Sequence, residues 1–247
     1  MPIDLFLLLV AAAFAAGFID AIAGGGGLIT IPALLIAGIP PVQALGTNKL
    51  QGMFGSGSAT LAFATKGHLN LRKLAPMAGL SLLGSVVGAG AALVIPTEAM
   101  RALLPFLLIA VALYFAFRPG LSDADAERRM PAKAFALGVV PGIGAYDGLF
   151  GPGTGSFFML AFVTLAGFGV LKATAHTKLL NFASNIGAFA VFALSGSILW
   201  GLGLAMGVGQ FVGARLGAHF AMRFGARIIR PLLVTVCLAL AAKLLFG

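Results

Sequence analysis

Long apolar stretches alternate with short polar or glycine-rich breaks along this chain, and the lengths of those stretches predict its architecture. In the first half, apolar segments run from about 3 to 23, 27 to 38, 43 to 65, 74 to 95 and 99 to 117. Most approach the roughly 20 residues that a helix needs to cross a bilayer core. The second is shorter. At about 1.5 Å per residue it covers half to two-thirds of that core, as a half-helix or re-entrant segment would. An equivalent set follows Lys133, with its short member at 156–167. The pattern predicts an all-α integral membrane protein with about five hydrophobic segments in each half. The first stretch lacks a basic leader and a separate cleavage site, so it reads as a retained helix rather than a signal peptide.

The halves are related by an internal repeat. An offset of 129 residues aligns Gly24 with Gly153, Gly26 with Gly155, Gly38 with Gly167, Lys49 with Lys178, Gly84 with Gly213, Gly88 with Gly217 and Arg101 with Arg230, without a gap. Shared apolar composition matches Ala and Leu by chance, but not an intramembrane Lys and an Arg in one register, so the chain reads as a duplication. The charged stretch around Asp123, Asp125, Glu127, Arg128 and Arg129 divides it into a first membrane repeat (1–118), a linker (119–133) and a second membrane repeat (134–247).

Charge then bears on orientation. Lys66, His68, Arg72 and Lys73 make a basic loop in the first half, whereas its counterpart, 195–202, is uncharged; Arg223, Arg227 and Arg230 are basic, whereas 94–101 holds only Glu98 and Arg101. The positive-inside bias therefore puts equivalent loops on opposite faces, which predicts two inverted repeats and a cytoplasmic linker.

Composition narrows the function classes. Sixty per cent of the 247 residues are hydrophobic and 9% are charged, which leaves no room for a sizeable soluble domain. The net charge of +9 fits cytoplasmic loops, and the basic patches interleaved with aromatics that nucleic-acid binding requires are missing. The single Cys237 excludes an internal disulfide and a cysteine metal site, and three scattered histidines make no metal site either. No cofactor motif is present: the glycines lack the Lys-Ser/Thr pair and strand–helix context of a nucleotide loop.

Two sequence features could carry chemistry. Gly24-Gly25-Gly26-Gly27 interrupts an apolar run, and Gly153-Thr154-Gly155-Ser156 does so at the matched place in the second half. Paired interruptions of this kind predict Gly-broken helices near the midplane, whose free N–H groups and helix dipoles attract anions. Close helix crossing at small residues is the alternative. The second feature is Thr47-Asn48-Lys49 with its counterpart His176-Thr177-Lys178. A cation in the bilayer core costs a few kcal/mol unless it pairs, faces water or snorkels from a helix end. Pointing inward, both lysines would put positive charge beside the two turns and suit a small oxyanion. Asp20 and Asp147 lie four and six residues before Gly24 and Gly153. They are candidates either for proton coupling or for structural ion pairs with the lysines. Gly55-Ser56-Gly57-Ser58 is better read as a packing face than as part of a catalytic constellation.

The runs Ala16 to Leu28, Ile31 to Leu35, Thr47 to Gln51, Tyr146 to Pro152 and Ala173 to Asn181 together resemble the TauE/SafE family of membrane permeases. That resemblance implies seven or eight crossings, the bacterial cytoplasmic (inner) membrane, and transport of sulfite, sulfoacetate or other organosulfonates. The combined expectation is a secondary transporter working by alternating access, whose partners are a small anionic substrate and the lipid bilayer. An anion channel, an intramembrane enzyme and a membrane scaffold are the competing readings.

Overall fold

The computed structural model describes residues 1–100, 102, 103, 106, 110 and 124–224. All regular structure among them is helical. In the first half α1 is Ile3–Ala23, α2 Gly27–Ile36, α3 Pro41–Thr65 and α4 Leu71–Val94. In the second, α5 runs without a break over 132–149 and is followed by α6 (Thr154–Thr164), α7 (Val170–Leu194) and α8 (Trp200–Phe224). The expected segment 99–117 and its counterpart near the C-terminus lie outside the described residues.

The offset of 129 carries into the backbone. Helices α3 and α7 match at both ends, and α4 and α8 at their starts. Three pairs of glycines with positive φ also match: Gly24 with Gly153, Gly38 with Gly167 and Gly67 with Gly196. After α3 the His68 N–H reaches back to Phe63 O, and after α7 the Ser197 N–H reaches back to Phe192 O. A left-handed glycine closes both helix ends in this way. Helix α5 has its own irregularity, a π turn at Phe135–Val139. Pro141 follows that turn and has neither an N–H nor room for the carbonyl one turn back, which the wider turn accommodates.

Contacts fix the direction of each helix. Gly46 lies against Ser197, Gly52 against Asn185 and Gly57 against Phe182, so α3 and α7 run antiparallel. Ser81 and Ser85 of α4 donate to Leu180 O (2.8 Å) and Ser184 O (2.6 Å) of α7, which makes those two helices parallel. Each half also lends its first helix to the other. Gly209, Gly213 and Gly217 of α8 pack on Val10, Phe14 and Phe18 of α1, while Gly84 and Gly88 of α4 pack on Pro141 and Ala145 of α5. Small residues here bring helix backbones into direct contact, the usual way of packing where lipid removes the hydrophobic drive between helices.

The pairs α1–α2 and α5–α6 are therefore hairpins that enter from opposite ends of the bundle. At one end, Leu5 and Phe6 of α1 pack with Leu34, Ile39 and Leu199. At the other, Met130 N–H, just before α5, bonds Leu165 O, just after α6 (3.1 Å). Helices α1, α4 and α7 are long and apolar enough to cross a membrane. Helices α2 and α6, with 10 and 11 residues, rise only about 15 Å and cannot cross alone. Large apolar side chains such as Leu8, Leu83, Val87 and Val208 face outward. Among the described residues, the segments predicted at 3–23, 27–38, 43–65 and 74–95 and their counterparts are helices with ends shifted by up to three residues, and the short ones are the return arms of hairpins.

Candidate functional site

The hairpin tips meet inside the bundle. Gly24 has φ +80° and packs against the Gly155–Ser156 backbone, and Ser156 Oγ donates to Ala23 O (3.0 Å). A side chain at Gly24 would collide with that backbone, so only glycine lets the tips touch. The first-turn N–H groups of α2 and α6 lack intrahelical acceptors and need partners from elsewhere. In the first half Leu28, Ile29 and Thr30 N–H turn to Gly25 O and Gly26 O, while Asp20 holds the turn before them: its carbonyl accepts the Gly24 N–H (2.8 Å) at the end of α1 and its Oδ1 the Gly26 N–H (3.0 Å).

Lys49 and Lys178 are 1% and 0% exposed, which excludes snorkelling in this structure. Each lies eight residues into its helix, about 12 Å from the end at which that helix begins. Each pairs with a carboxylate of the other half. Lys49 Nζ donates to Asp147 Oδ1 (2.8 Å), and Lys178 Nζ contacts Asp20 Oδ2 (3.3 Å) and the Asp20 carbonyl. Two cations and two anions thus cancel in the interior, which lowers the cost of burying either pair.

Between the pairs is a narrow polar cavity of about 20 Å³, lined by Asp20, Asp147, Asn48, Thr154, Asn181, Asn185, Gln210 and glycines of both turns. It has room for about one water. Asn48 Oδ1 accepts from Thr30 Oγ1 (2.6 Å) and Gln51 Nε2 (3.0 Å), and Asn185 Nδ2 donates to Asn181 O (2.7 Å). Asp147 Oδ2 and Gln210 Oε1 are buried without a hydrogen-bond partner.

The structure divides the sequence candidates. Gly25, Gly26, Gly27, Asn48, Gly153, Thr154, Gly155, Asp20 and Asp147 line the cavity. The lysines lie behind their aspartates, and Gly24 and Ser156 join the tips. Thr47 is turned away, its Oγ1 accepting the Leu199 N–H (3.1 Å). Thr177 Oγ1 is buried without a partner and is not part of the cavity wall. His176 lies at one end of the bundle, edge-on to the stacked rings of Phe162 and Phe168, in an open recess with His68, Lys172 and Arg223. Asn181, Asn185 and Gln210 are additions. Their signal was present: Gln210 is the one amide within 200–224, and Asn181 and Asn185 are four apart in a largely apolar helix, hence on one face. Among the described residues no group of acids, histidines or cysteines could hold a metal ion.

Comparison with known proteins gives the setting. The family described as Sulfite exporter TauE/SafE matches residues 9–244. A Sinorhizobium protein named probable membrane transporter protein ORF9 is 63% identical over 99% of this chain and 94% of its own length. A probable membrane transporter protein of Haemophilus influenzae is 49% identical over 99% of this chain and 96% of its own. The Escherichia coli K12 protein named probable membrane transporter protein YfcA is 47% identical over 95% and 87%. No solved structure matches the chain. Family and relatives alike are named as transporters rather than enzymes. With a match spanning nearly the whole sequence, the chain belongs to the TauE/SafE family and is a membrane transporter.

Proposed function

We propose that the protein moves a small oxyanion, sulfite or an organosulfonate, across the bacterial cytoplasmic membrane by alternating access between two inverted repeats. The observation that carries this reading is the cavity itself. It is narrow, polar and walled by both glycine turns, where hairpins from opposite ends of the bundle meet. Its space is less than an oxyanion needs, so passage requires the hairpins to part. A gated site of this kind favours a transporter over a continuously open channel. The antiparallel course of the equivalent helices α3 and α7 supports inversion.

Chemically, the site offers what an oxyanion needs. Helix N-termini of α2 and α6 present N–H groups, Asn48, Asn181 and Asn185 bring amide donors, and each lysine can exchange its aspartate for the anion. The family name supports sulfite as one cargo. The recess end of the bundle, with Lys66, Arg72, Lys73, Lys172 and Arg223, is the cytoplasmic face under the positive-inside bias, and the linker with it. A cysteine introduced at Ala126 should react with an impermeant thiol reagent in inside-out vesicles only; reaction in right-side-out vesicles would reverse this orientation.

Transport is tested in proteoliposomes loaded with unlabelled anion and offered labelled sulfite, sulfoacetate or sulfate outside. A transporter gives saturable counterflow. Linear, non-saturating flux would favour a channel, and no flux of any of the three would remove sulfur oxyanions as cargo. Lys49→Ala or Lys178→Ala should lower flux by about tenfold or more, the effect expected when a charged hydrogen-bond partner is lost. Undiminished flux in both would exclude the lysines from the site.

A further inference from the structure

Resting on this transport reading, one residue can be singled out as the carrier of the coupling ion. Lys49, Lys178, Asp20 and Asp147 sum to zero charge in the buried centre. An arriving monoanion leaves that centre with a net negative charge, which is costly in a low-dielectric interior. One positive charge travelling with the anion removes the imbalance.

The two aspartates are not equally able to take it. Both carboxylate oxygens of Asp20 are engaged, Oδ1 by the Gly26 N–H and Oδ2 by Lys178. Neutralising Asp20 would therefore loosen the turn itself. Asp147, which lines the cavity, gives only Oδ1 to Lys49, while its Oδ2 is buried without a partner. Gln210 lines the same cavity, and its Oε1 is also buried without a partner. A buried acceptor in this position lacks a donor.

The same atoms decide against a metal cation. Asn48 Oδ1, Asn181 Oδ1 and Asp20 Oδ1 already accept hydrogen bonds. Asp147 Oδ2, Gln210 Oε1 and Asn185 Oδ1 are too few for the roughly six oxygens that a hard metal ion collects. One proton needs only one acceptor atom and at most a second to share it. The charged and titratable groups facing Asp147 are Lys49 from α3, Asp20 and Lys178 across the cavity, and Tyr146 beside it, whose hydroxyl donates to Pro152 O.

We propose that Asp147 takes up one proton on Oδ2 when the anion claims Lys49, so that a monoanion and a proton cross together, and that Asp20 is a positioning residue. The proton enters from the side to which the site is open and leaves with the anion on the other; no other bond is made or broken. With Asp147 neutral, two lysines balance Asp20 and the anion.

The test compares anion accumulation driven by a pH gradient with anion counterflow, using sulfite and methanesulfonate in the same proteoliposomes. In Asp147→Asn the ratio of gradient-driven to counterflow rate should fall about tenfold or more, as for loss of an intramembrane proton relay. In Asp20→Asn both rates should fall together, leaving the ratio within about twofold if the residue only positions the turn. A ratio unchanged in Asp147→Asn, a ratio lost in Asp20→Asn instead, or wild-type accumulation that requires Na⁺ in place of choline would each overturn the assignment. Absence of wild-type counterflow would instead defeat the underlying transport reading. If Asp147→Asn does not fold, infrared difference spectra of the wild type on adding sulfite still decide: one carboxyl should become protonated, and none doing so overturns the proposal.

Discussion

In the first half the turn after α1 is held by a carboxylate; in the second, the turn after α5 is held by hydroxyls. Asp20 ties down the Gly24 and Gly26 N–H groups. At the matched turn Thr154 Oγ1 donates to Gly151 O (2.8 Å) and the Tyr146 hydroxyl donates to Pro152 O (2.6 Å). The two turns share a backbone shape, as the matched positive φ of Gly24 and Gly153 records, while the side chains that stabilise them differ. Where hydroxyls hold the turn, the carboxylate of Asp147 keeps one oxygen uncommitted. One ion pair is thus partly a strut, and the other is available to exchange partners.

The largest effect that can break this contrast comes from removing one lysine at a time. Lys49→Ala leaves the Asp147 carboxylate buried with neither oxygen paired, a situation that costs about 3–5 kcal/mol. Lys178→Ala leaves Asp20 still bonded to the Gly26 N–H, so its loss should be smaller by about 1 kcal/mol, the net worth of one such bond. Thermal unfolding in detergent should rank the variants in that order, and the Lys49→Ala, Asp147→Ala double variant should recover much of the loss. The reverse ranking, or no recovery, would mean that the two pairs play the same structural part.

A second comparison sets Gly24 against Gly38, which share φ +80°. A side chain at Gly38 meets nothing within 4 Å, whereas at Gly24 it runs into the Gly155–Ser156 backbone. Gly38→Ala should cost only the about 1–2 kcal/mol of a left-handed alanine. Gly24→Ala adds an overpacking cost of about 1–3 kcal/mol and separates the hairpin tips. Counterflow should persist in the first and fall severely in the second. Equal flux in both variants would show that tip contact is dispensable.

How much of this was legible beforehand follows from the physics of each signal. Membrane class, the 129-residue repeat and the paired glycine breaks are written in composition and spacing, and the helices follow them. The lysines were visible as cations in apolar helices. Asp20 and Asp147 were visible as candidate partners, but which pairs with which was not, because the two aspartates are two residues out of repeat register and each pairs across to the other half. Thr47 and His176 show the limit of motif reasoning. They occupy equivalent positions in the repeat, yet one accepts a backbone N–H in the interior and the other lies edge-on to two stacked phenylalanines at the bundle's end. Sequence spacing places both on the lysine-bearing helices; only packing determines which way each points.

The smallest expected effect sharpens a further difference, between the two ends of the bundle. At the recess end, the linker docks on the turn between α6 and α7. Ala126 N–H bonds Gly167 O (2.8 Å), Arg129 and Met130 N–H bond Leu165 O (3.0 and 3.1 Å), and Asp125 accepts from Gly169 N–H and Lys172 Nζ (both 2.7 Å). At the opposite end the equivalent of Lys172 is Gln43, so this charged clasp has no repeat counterpart. The Lys172 hydrogen bond first, and then the Gly169 N–H, hold the Asp125 carboxyl below its ordinary value of 3.8. A depressed carboxyl stabilises the docked form above its unfolded value, and that contribution is lost as pH falls through the lower folded value. Because the pair is exposed, Asp125→Asn should cost no more than about 1 kcal/mol. Hydrogen exchange at the Ala126, Arg129 and Met130 amides, corrected for intrinsic rate, should quicken in Asp125→Asn at neutral pH. In the wild type it should quicken only as the pH drops below the ordinary carboxyl range. Protection identical in the two proteins at every pH would show that the backbone bonds alone seat the linker, and that the two ends of the bundle differ in charge but not in how they are closed.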